Sequence, residues 1–358
     1  MKTRAWAKLN LTLDVLGKRE DGYHDLCMVM QSITLHDTLT LTPNEGQGLR
    51  VKTNLRFLPT GDKNLAAAAA LRFWEALGRE PEHLDIEIQK RIPVCAGMAG
   101  GSSDAAAVLR ALNELAGSPF TPTELAKVGE KVGSDVPYCV LGGTALAEGR
   151  GEVLTPLPAL PPCWVVACKP DFPISTPELF ARIDSCKIRC RPDTAGMLGA
   201  LKAGSLEEVA RRMYNVFEDA LPARQGASVA EIKNTLIQCG ALGANMSGSG
   251  PTAFGLFTEE DQARRAAEQL RQVFDQKVYR TGGDEFVVLD LEQGETQFLE
   301  AVARAQQLME ENGISCSVGA SWHSGRYSFK AQYDEADRQM YRQKSQFYSM
   351  QEHDRRKR

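Results

Sequence analysis

Pro93-Val94-Cys95-Ala96-Gly97-Met98-Ala99-Gly100-Gly101-Ser102-Ser103-Asp104 is the stretch on which the fold turns. Before it lies LDIEIQ (84–89), whose period-two alternation predicts a half-buried strand; after it, residues 103–116 predict a helix. A strand–turn–helix junction of this kind exposes backbone N–H groups at the positive end of a helix dipole, where an anion is favoured. Glycines let the main chain approach phosphate oxygens with no Cβ in the way. Ser102 and Ser103 can cap the helix, bind the phosphate or help hold Mg²⁺. The loop is neither a Walker sequence, which ends in Gly-Lys-Ser/Thr, nor a dinucleotide GxGxxG fingerprint. Taken alone, it can also be a flexible turn with an ordinary serine cap.

Outward from the loop, residues 1–160 alternate strand-like runs with helices. Residues 5–15, 39–42 and 49–53 read as strands, and the alanine-rich run 64–78 as a helix ended by Gly78. Pro156, Pro158, Pro161 and Pro162 mark a boundary. Beyond them come a strand at 164–168, helices at 176–183, 194–203, 205–220 and 228–239, and a glycine–serine turn at 243–250. A strand at 252–257 and a charged helix at 259–274 follow. The mixture predicts an α/β or α+β enzyme of two lobes. The last 80 residues form a further unit, with strands at 287–291 and 314–321 and helices at 296–312 and 329–347.

The 358 residues are too many for one ordinary domain, and 43% hydrophobic with 25% charged residues is the mixture of a soluble protein. A net charge of −4 gives no general basic footprint for nucleic acid, and the short basic tail at 355–358 reads as a solvated end. No run reaches the roughly 18 apolar residues of a membrane span, and the first residues carry no apolar stretch of leader length. Nine cysteines cannot all pair internally, and Cys186 and Cys190 lack the partners of a zinc site. Reduced thiols in a cytoplasmic protein are expected.

Other segments give the loop its meaning. Ala7-Lys8-Leu9-Asn10-Leu11 places Lys8 and Asn10 on one face of a strand, which by spacing alone reads as a solvated face. Asp21-Gly22-Tyr23-His24, Gly133-Ser134-Asp135-Val136-Pro137 and Asn245-Met246-Ser247-Gly248-Ser249-Gly250-Pro251 follow in order. Together PVCAGMAGGSSDAA, AKLNLTLDVLGKREDGYHDL, GSDVPYCVLGGTALAEGRGE and ANMSGSGPTAFGLF resemble the GHMP kinase superfamily, and most closely its 4-diphosphocytidyl-2-C-methyl-D-erythritol kinase family. The resemblance covers roughly residues 1–280. It implies an α+β fold, with a ribosomal S5 domain 2-like N-terminal lobe at 1–157 and a ferredoxin-like C-terminal lobe at 158–279. It also implies ATP and Mg²⁺ as donor and metal, and a small-molecule alcohol as acceptor, with neither nucleic acid nor membrane as partner.

Residue by residue, the resemblance makes Asp135 the base that takes the proton of the substrate hydroxyl, and Lys8 the cation that stabilises the migrating phosphoryl. Without it, Asp135 reads as a cap beside Pro137. Residues 93–103 would hold ATP, with Ser102 near Mg²⁺. Tyr23 and His24 match a cytidine-binding pair, or else an exposed hairpin turn. Asn10 would touch the polyol hydroxyls, and Phe180 would face the base from the other side. Asn64 matches an adenosine contact or a helix cap, and 248–250 a second turn near the phosphates or substrate, or else a plain turn. Ala99 stands where many relatives carry glycine, which suits a residue with negative φ. Another GHMP kinase acting on a different alcohol remains open.

Past residue 280, GGDEFVVL, together with ISCSVG (314–319) and EADRQMYRQK (335–344), resembles the second half of a GGDEF diguanylate cyclase domain. The expected organisation is therefore a partial GGDEF-like α/β segment at 280–350 and a basic tail at 351–358. The first half of such a domain is missing, so cyclisation of GTP is not expected. A signalling or binding protein using this half is the alternative of another class. The run VYRT (278–281) can be the last kinase strand or the strand before GGDEF.

Overall fold

Apolar alternation from Ala5 to Val15 carries the first strand beyond its expected ends, because its partner is equally long. In the computed structural model, β1 (Lys2–Lys18) and β2 (His24–Pro43) form one antiparallel hairpin. Residues 39–42 are thus the end of a 20-residue strand. The structure describes residues 1–46, 48–61, 63–274, 277–282, 285–289, 294–311 and 318–323, and positions 332, 335, 336, 338–340 and 342. No helix among them is long and apolar enough to cross a membrane.

β3 (Leu49–Thr53), α1 (Leu65–Leu77), β4 (Leu84–Gln89), α2 (Gly100–Leu115), α3 (Pro122–Glu130), α4 (Val136–Leu141), β5 (Thr144–Gly149) and β6 (Val153–Pro156) follow. β4 lies between β2 and β3, and β5 pairs with the first part of β2 and with β6. One face of this sheet is covered by α1 and α2, whose alanines let backbone approach backbone while Phe73 and Trp74 fill the gap. Each such fully buried large side chain contributes roughly 1.5–3 kcal/mol. α3 and α4 were not among the expected helices; α3 carries a complete capping box between Thr121 and Glu124.

β7 (Trp164–Cys168), α5 (Thr176–Ile183) and α6 (Thr194–Ala203) match their expected positions, but the helix expected over 205–220 begins only as the short α7 (Leu206–Arg211) and does not run through. It breaks into α7, β8 (Tyr214–Asn215) and α8 (Phe217–Ala220). Tertiary bonding overrides propensity there: β8 pairs in parallel with Thr12 and Leu13 of β1, and Asn215 spends its amide on two distant carbonyls. α9 (Ala223–Gln238), β9 (Gly243–Met246), β10 (Ala253–Phe257) and α10 (Glu260–Phe274) complete the unit. Among the described residues it holds a seven-stranded sheet and a three-stranded antiparallel sheet ordered β7-β10-β9.

Compact packing divides the chain into Met1–Asp275 and Gln276–Arg358. In the second unit β11 (Lys277–Gly282) pairs antiparallel with β12 (Glu285–Leu289), so VYRT joins the strand that follows it. The strand expected at 287–291 thus starts earlier, and Gly283 and Asp284 of the GGDEF-like signature lie outside the described residues. α11 (Glu295–Glu311) is the expected helix. Of the strand expected at 314–321, residues 318–321 are irregular and the rest lies outside the described residues. The positions described between 332 and 342 are helical, and His323 pairs with Glu335 at 2.9 Å. The remainder of the helix expected at 329–347 and the basic tail lie outside the described residues.

Candidate active site

Four polar side chains, Lys8, Asn10, Thr12 and Asp14, are buried at alternate positions along β1. Burying an ammonium is costly unless it is paired. Lys8 Nζ donates to Asn10 Oδ1 at 2.7 Å and lies 3.7 Å from Asp135 Oδ2. Lys8 is 5% exposed and Asp135 34%, so the pair has a closed side and an open side. Asp135 occupies the position before α4, yet its side chain makes no capping bond. The capping alternative is therefore not realised, and the carboxylate is left facing Lys8.

The glycine-rich loop is bonded to the same strand. Lys8 N donates to Met98 O at 3.2 Å. Ser247 Oγ donates to Gly97 O at 2.9 Å and accepts from Asn10 N at 3.3 Å. A Cβ on Gly97, whose φ is +71°, would come within 2.0 Å of Ser247 O, so only glycine fits where the two turns touch. Asn215 Nδ2 donates to the carbonyls of Met246 and Gly248, both at 2.8 Å, and Asn245 Nδ2 to those of Asn10 and Leu11. The second turn is thus a brace for the first.

α2 begins at Gly100, inside the loop, three residues before the expected start. Ala99 precedes it with no side-chain cap, and no acidic residue stands in the first turn. The N–H groups of Gly100, Gly101 and Ser102 therefore have no intrahelical acceptor, which suits a bound phosphate. The serine-cap alternative is not realised. Ser103 is buried and donates to Trp6 O at 2.6 Å, so it supports the loop from inside instead of meeting a ligand. Ser102 makes no side-chain hydrogen bond among the described residues and is free to meet one. Ala99 has φ +56° and not the negative value its side chain prefers; Cys95 shares this geometry at +53°. Each costs roughly 1–2 kcal/mol.

At the other end of the site Tyr23 is 57% exposed, with the Arg150 guanidinium 5.3 Å above its ring. A cleft of about 190 Å³ joins Tyr23 to Gly133 and Ser134, next to Asp135. His24 is buried, its Nε2 2.6 Å from Asp184 Oδ1, and Lys18 Nζ lies 3.3 Å from Asp184 Oδ2. The hydrogen bond from His24 holds the Asp184 carboxyl below the usual range. Phe180 does not stand across a gap from this pair. Its ring lies on His24 at 4.7 Å, so no base fits between those two rings, and its edge meets Phe217. Asn64 caps α1, accepting from Ala66 N at 2.9 Å.

Residues 64–143 match the family described as GHMP kinases N terminal domain, and 197–276 that described as GHMP kinases C terminal. A 4-diphosphocytidyl-2-C-methyl-D-erythritol kinase from Alkaliphilus metalliredigens is 42% identical over 77% of this chain and 94% of its own. The chain belongs to the 4-diphosphocytidyl-2-C-methyl-D-erythritol kinase family. A crystal structure of 4-(cytidine 5'-diphospho)-2C-methyl-D-erythritol kinase is 36% identical and superposes with a TM-score of 0.63, over 76% of this chain and 96% of that one. Homoserine kinase from Cytophaga hutchinsonii, 20% identical with a TM-score of 0.59 over 76% of this chain and 90% of its own, shares the fold. The protein is therefore a two-lobed GHMP kinase, with ATP as its phosphoryl donor.

Within this kinase, three parts of the site were not singled out from sequence. Ser247 and Asn245 stood in a quoted motif without a role. Asp184 has no local signal and reaches His24 from α5's end. Lys90, directly before the glycine loop, is buried with Asp37 and Asp104. Burial, helped by the neighbouring Asp37 carboxylate and opposed by Lys90, pushes Asp104 up to about 7.

Proposed function

We propose that this kinase transfers the γ-phosphoryl of ATP to the 2-hydroxyl of 4-diphosphocytidyl-2-C-methyl-D-erythritol in isoprenoid precursor synthesis. The observation that carries the reading is the 3.7 Å approach of Lys8 and Asp135 beside an uncapped, glycine-led helix terminus. The substrate oxygen attacks the γ-phosphorus, its bond to the β–γ bridging oxygen breaks, and the hydroxyl proton passes to Asp135. Lys8 offsets charge on the phosphoryl in flight, and Asn10, which orients Lys8, meets the polyol. The loop from Pro93 to Ser102 receives the phosphates through backbone N–H groups.

Mg²⁺ fits as a companion of the nucleotide. Among the described residues no cluster of three His, Cys, Asp or Glu side chains is poised for a metal. Mg²⁺ is commonly held by substrate phosphates with few protein ligands, and the Ser102 hydroxyl is the one we assign. Tyr23 supplies a stacking face for the cytosine and His24 a polar edge, with Phe180 acting behind His24. The lobes are taken as 1–157 and 158–279, with the GGDEF-like segment at 280–350 taking no part in the transfer. The acidic net charge supports a small-molecule partner and not nucleic acid. Eight described cysteines are free thiols, which supports a cytoplasmic location.

Competition separates this reading from another GHMP kinase. CMP and CDP should inhibit competitively against the alcohol substrate. Activity on homoserine or mevalonate, with no effect of CMP, would reject the cytidine assignment.

A further inference from the structure

Asp37, Lys90 and Asp104 form a buried cluster of charges that no step of the transfer uses. Lys90 Nζ lies 2.5 Å from Asp37 Oδ2 and 2.6 Å from Asp104 Oδ2. Asp37 Oδ1 accepts the backbone N–H groups of Arg91 and Ile92, the latter at 2.8 Å. Residues 90–92 directly precede the glycine-rich loop and Asp104 directly follows it. One ammonium therefore ties the two ends of the loop together, with β2 as the anchor. It also sits under the helix start, since a Cβ on Gly100 would be 3.4 Å from Lys90 Nζ.

Such a cluster is a poor way to gain stability. Desolvating three charges offsets most of their attraction, and well-packed apolar replacements are often neutral. Asp104 Oδ1 is buried with no hydrogen-bond partner among the described residues, which adds to the cost. The cluster carries two carboxylates to one ammonium, so it does not attract an anion either. What it supplies is geometry. The loop holds Cys95 and Ala99 in left-handed backbone, and such residues persist only where their surroundings over-determine them.

We propose that Lys90, with Asp37 and Asp104, is a positioning group for nucleotide binding: it fixes the separation of the loop's two ends. The N–H groups of Gly100, Gly101 and Ser102 are then aimed before the phosphates arrive, and less ordering is left to binding. This rests on the reading that the loop holds the phosphates, and it concerns nucleotide affinity and not the alcohol.

Asp104→Ala in the full chain tests it, because the Lys90–Asp37 pair stays balanced while α2 loses its tether. The KM for ATP should rise about tenfold with the KM for the alcohol unchanged. Amide exchange across 94–102 should quicken while α1 keeps its protection. Asp104→Asn, whose carbonyl still accepts from Lys90, should restore the ATP KM. If Asp104→Ala does not fold, Lys90→Met/Asp104→Leu takes its place with the same readings. A folded variant with an unmoved ATP KM, or Asp104→Asn as impaired as Asp104→Ala, would overturn the proposal. Wild-type protein showing no saturable dependence on ATP would instead remove the reading of the loop itself.

Discussion

The two ends of the proposed site, one for the phosphates and one for the cytidine, are built by different means. The phosphate end is made of backbone: two turns in van der Waals contact, pinned to β1 through Met98, Ser247 and Asn245, with their side chains buried. The recognition end is made of side chains near the surface, with Tyr23 57% exposed under Arg150 and His24 held by Asp184. Phosphoryl transfer is mainly positioning and electrostatics, and small misplacements are expensive. A stacked base tolerates sliding, so an exposed ring on a hairpin is sufficient. Buried hydrogen bonds are concentrated where geometry would set the rate.

This contrast makes the ends fail differently. Asp135→Asn removes the proposed proton acceptor and should lower kcat by about 10²–10⁴-fold. Its side chain makes no capping bond, but Lys8 loses its counter-charge and keeps only Asn10, so the thermal midpoint should fall by a few degrees without loss of the fold. Activity within tenfold of wild type would mean that the phosphate end does not use Asp135 as its base. Tyr23→Ala should act on the other side of the comparison. The KM for the alcohol should rise about tenfold with kcat nearly constant, as loss of one aromatic contact predicts. A fall in kcat at constant KM would show that the hairpin shapes the reacting geometry, and the division between the ends would collapse.

How much of this was legible beforehand follows the same division. Motifs pointed to Lys8, Asp135 and the loop, because the roles proposed for them need particular residue types at fixed places in the chain. Local patterns found β4, α5 and α6 at their true limits, since each carries its own period, caps or breakers. What sequence hid was set at long range. Tyr214 and Asn215 became a strand inside a helical pattern because β1 and the second turn offered them bonds. Ser103 turned inward because helix α2 starts at Gly100, a register no local signal fixes. Phe180 was paired with the base, but the hydrogen bond between His24 and Asp184 holds the imidazole against it. The Asp37–Lys90–Asp104 cluster joins residues 53 and 14 positions apart, with no spacing rule to announce it.

The smallest expected effect sharpens the contrast through pH, because each end holds a carboxyl shifted in the opposite direction. Burial, with the Asp37 carboxylate beside it and against the pull of Lys90, raises Asp104 from 3.8 to about 7, so the folded protein binds its proton more tightly than the unfolded chain. That contribution is complete below about pH 4 and is lost as pH rises through about 7. Asp184 is lowered by its bonds to His24 and Lys18, so its contribution is present at neutral pH and lost as pH falls through its depressed value. The margin of wild type over Asp104→Asn in thermal midpoint should therefore shrink by a few degrees between about pH 4 and pH 8. The margin over Asp184→Asn should be flat in that range and shrink only below it, and by less, because Asp184 is open to solvent. An Asp104 margin that did not move with pH would mean the carboxylate is ionised throughout. Lys90 would then balance both acids, and the phosphate end would carry no more pH sensitivity than the exposed end.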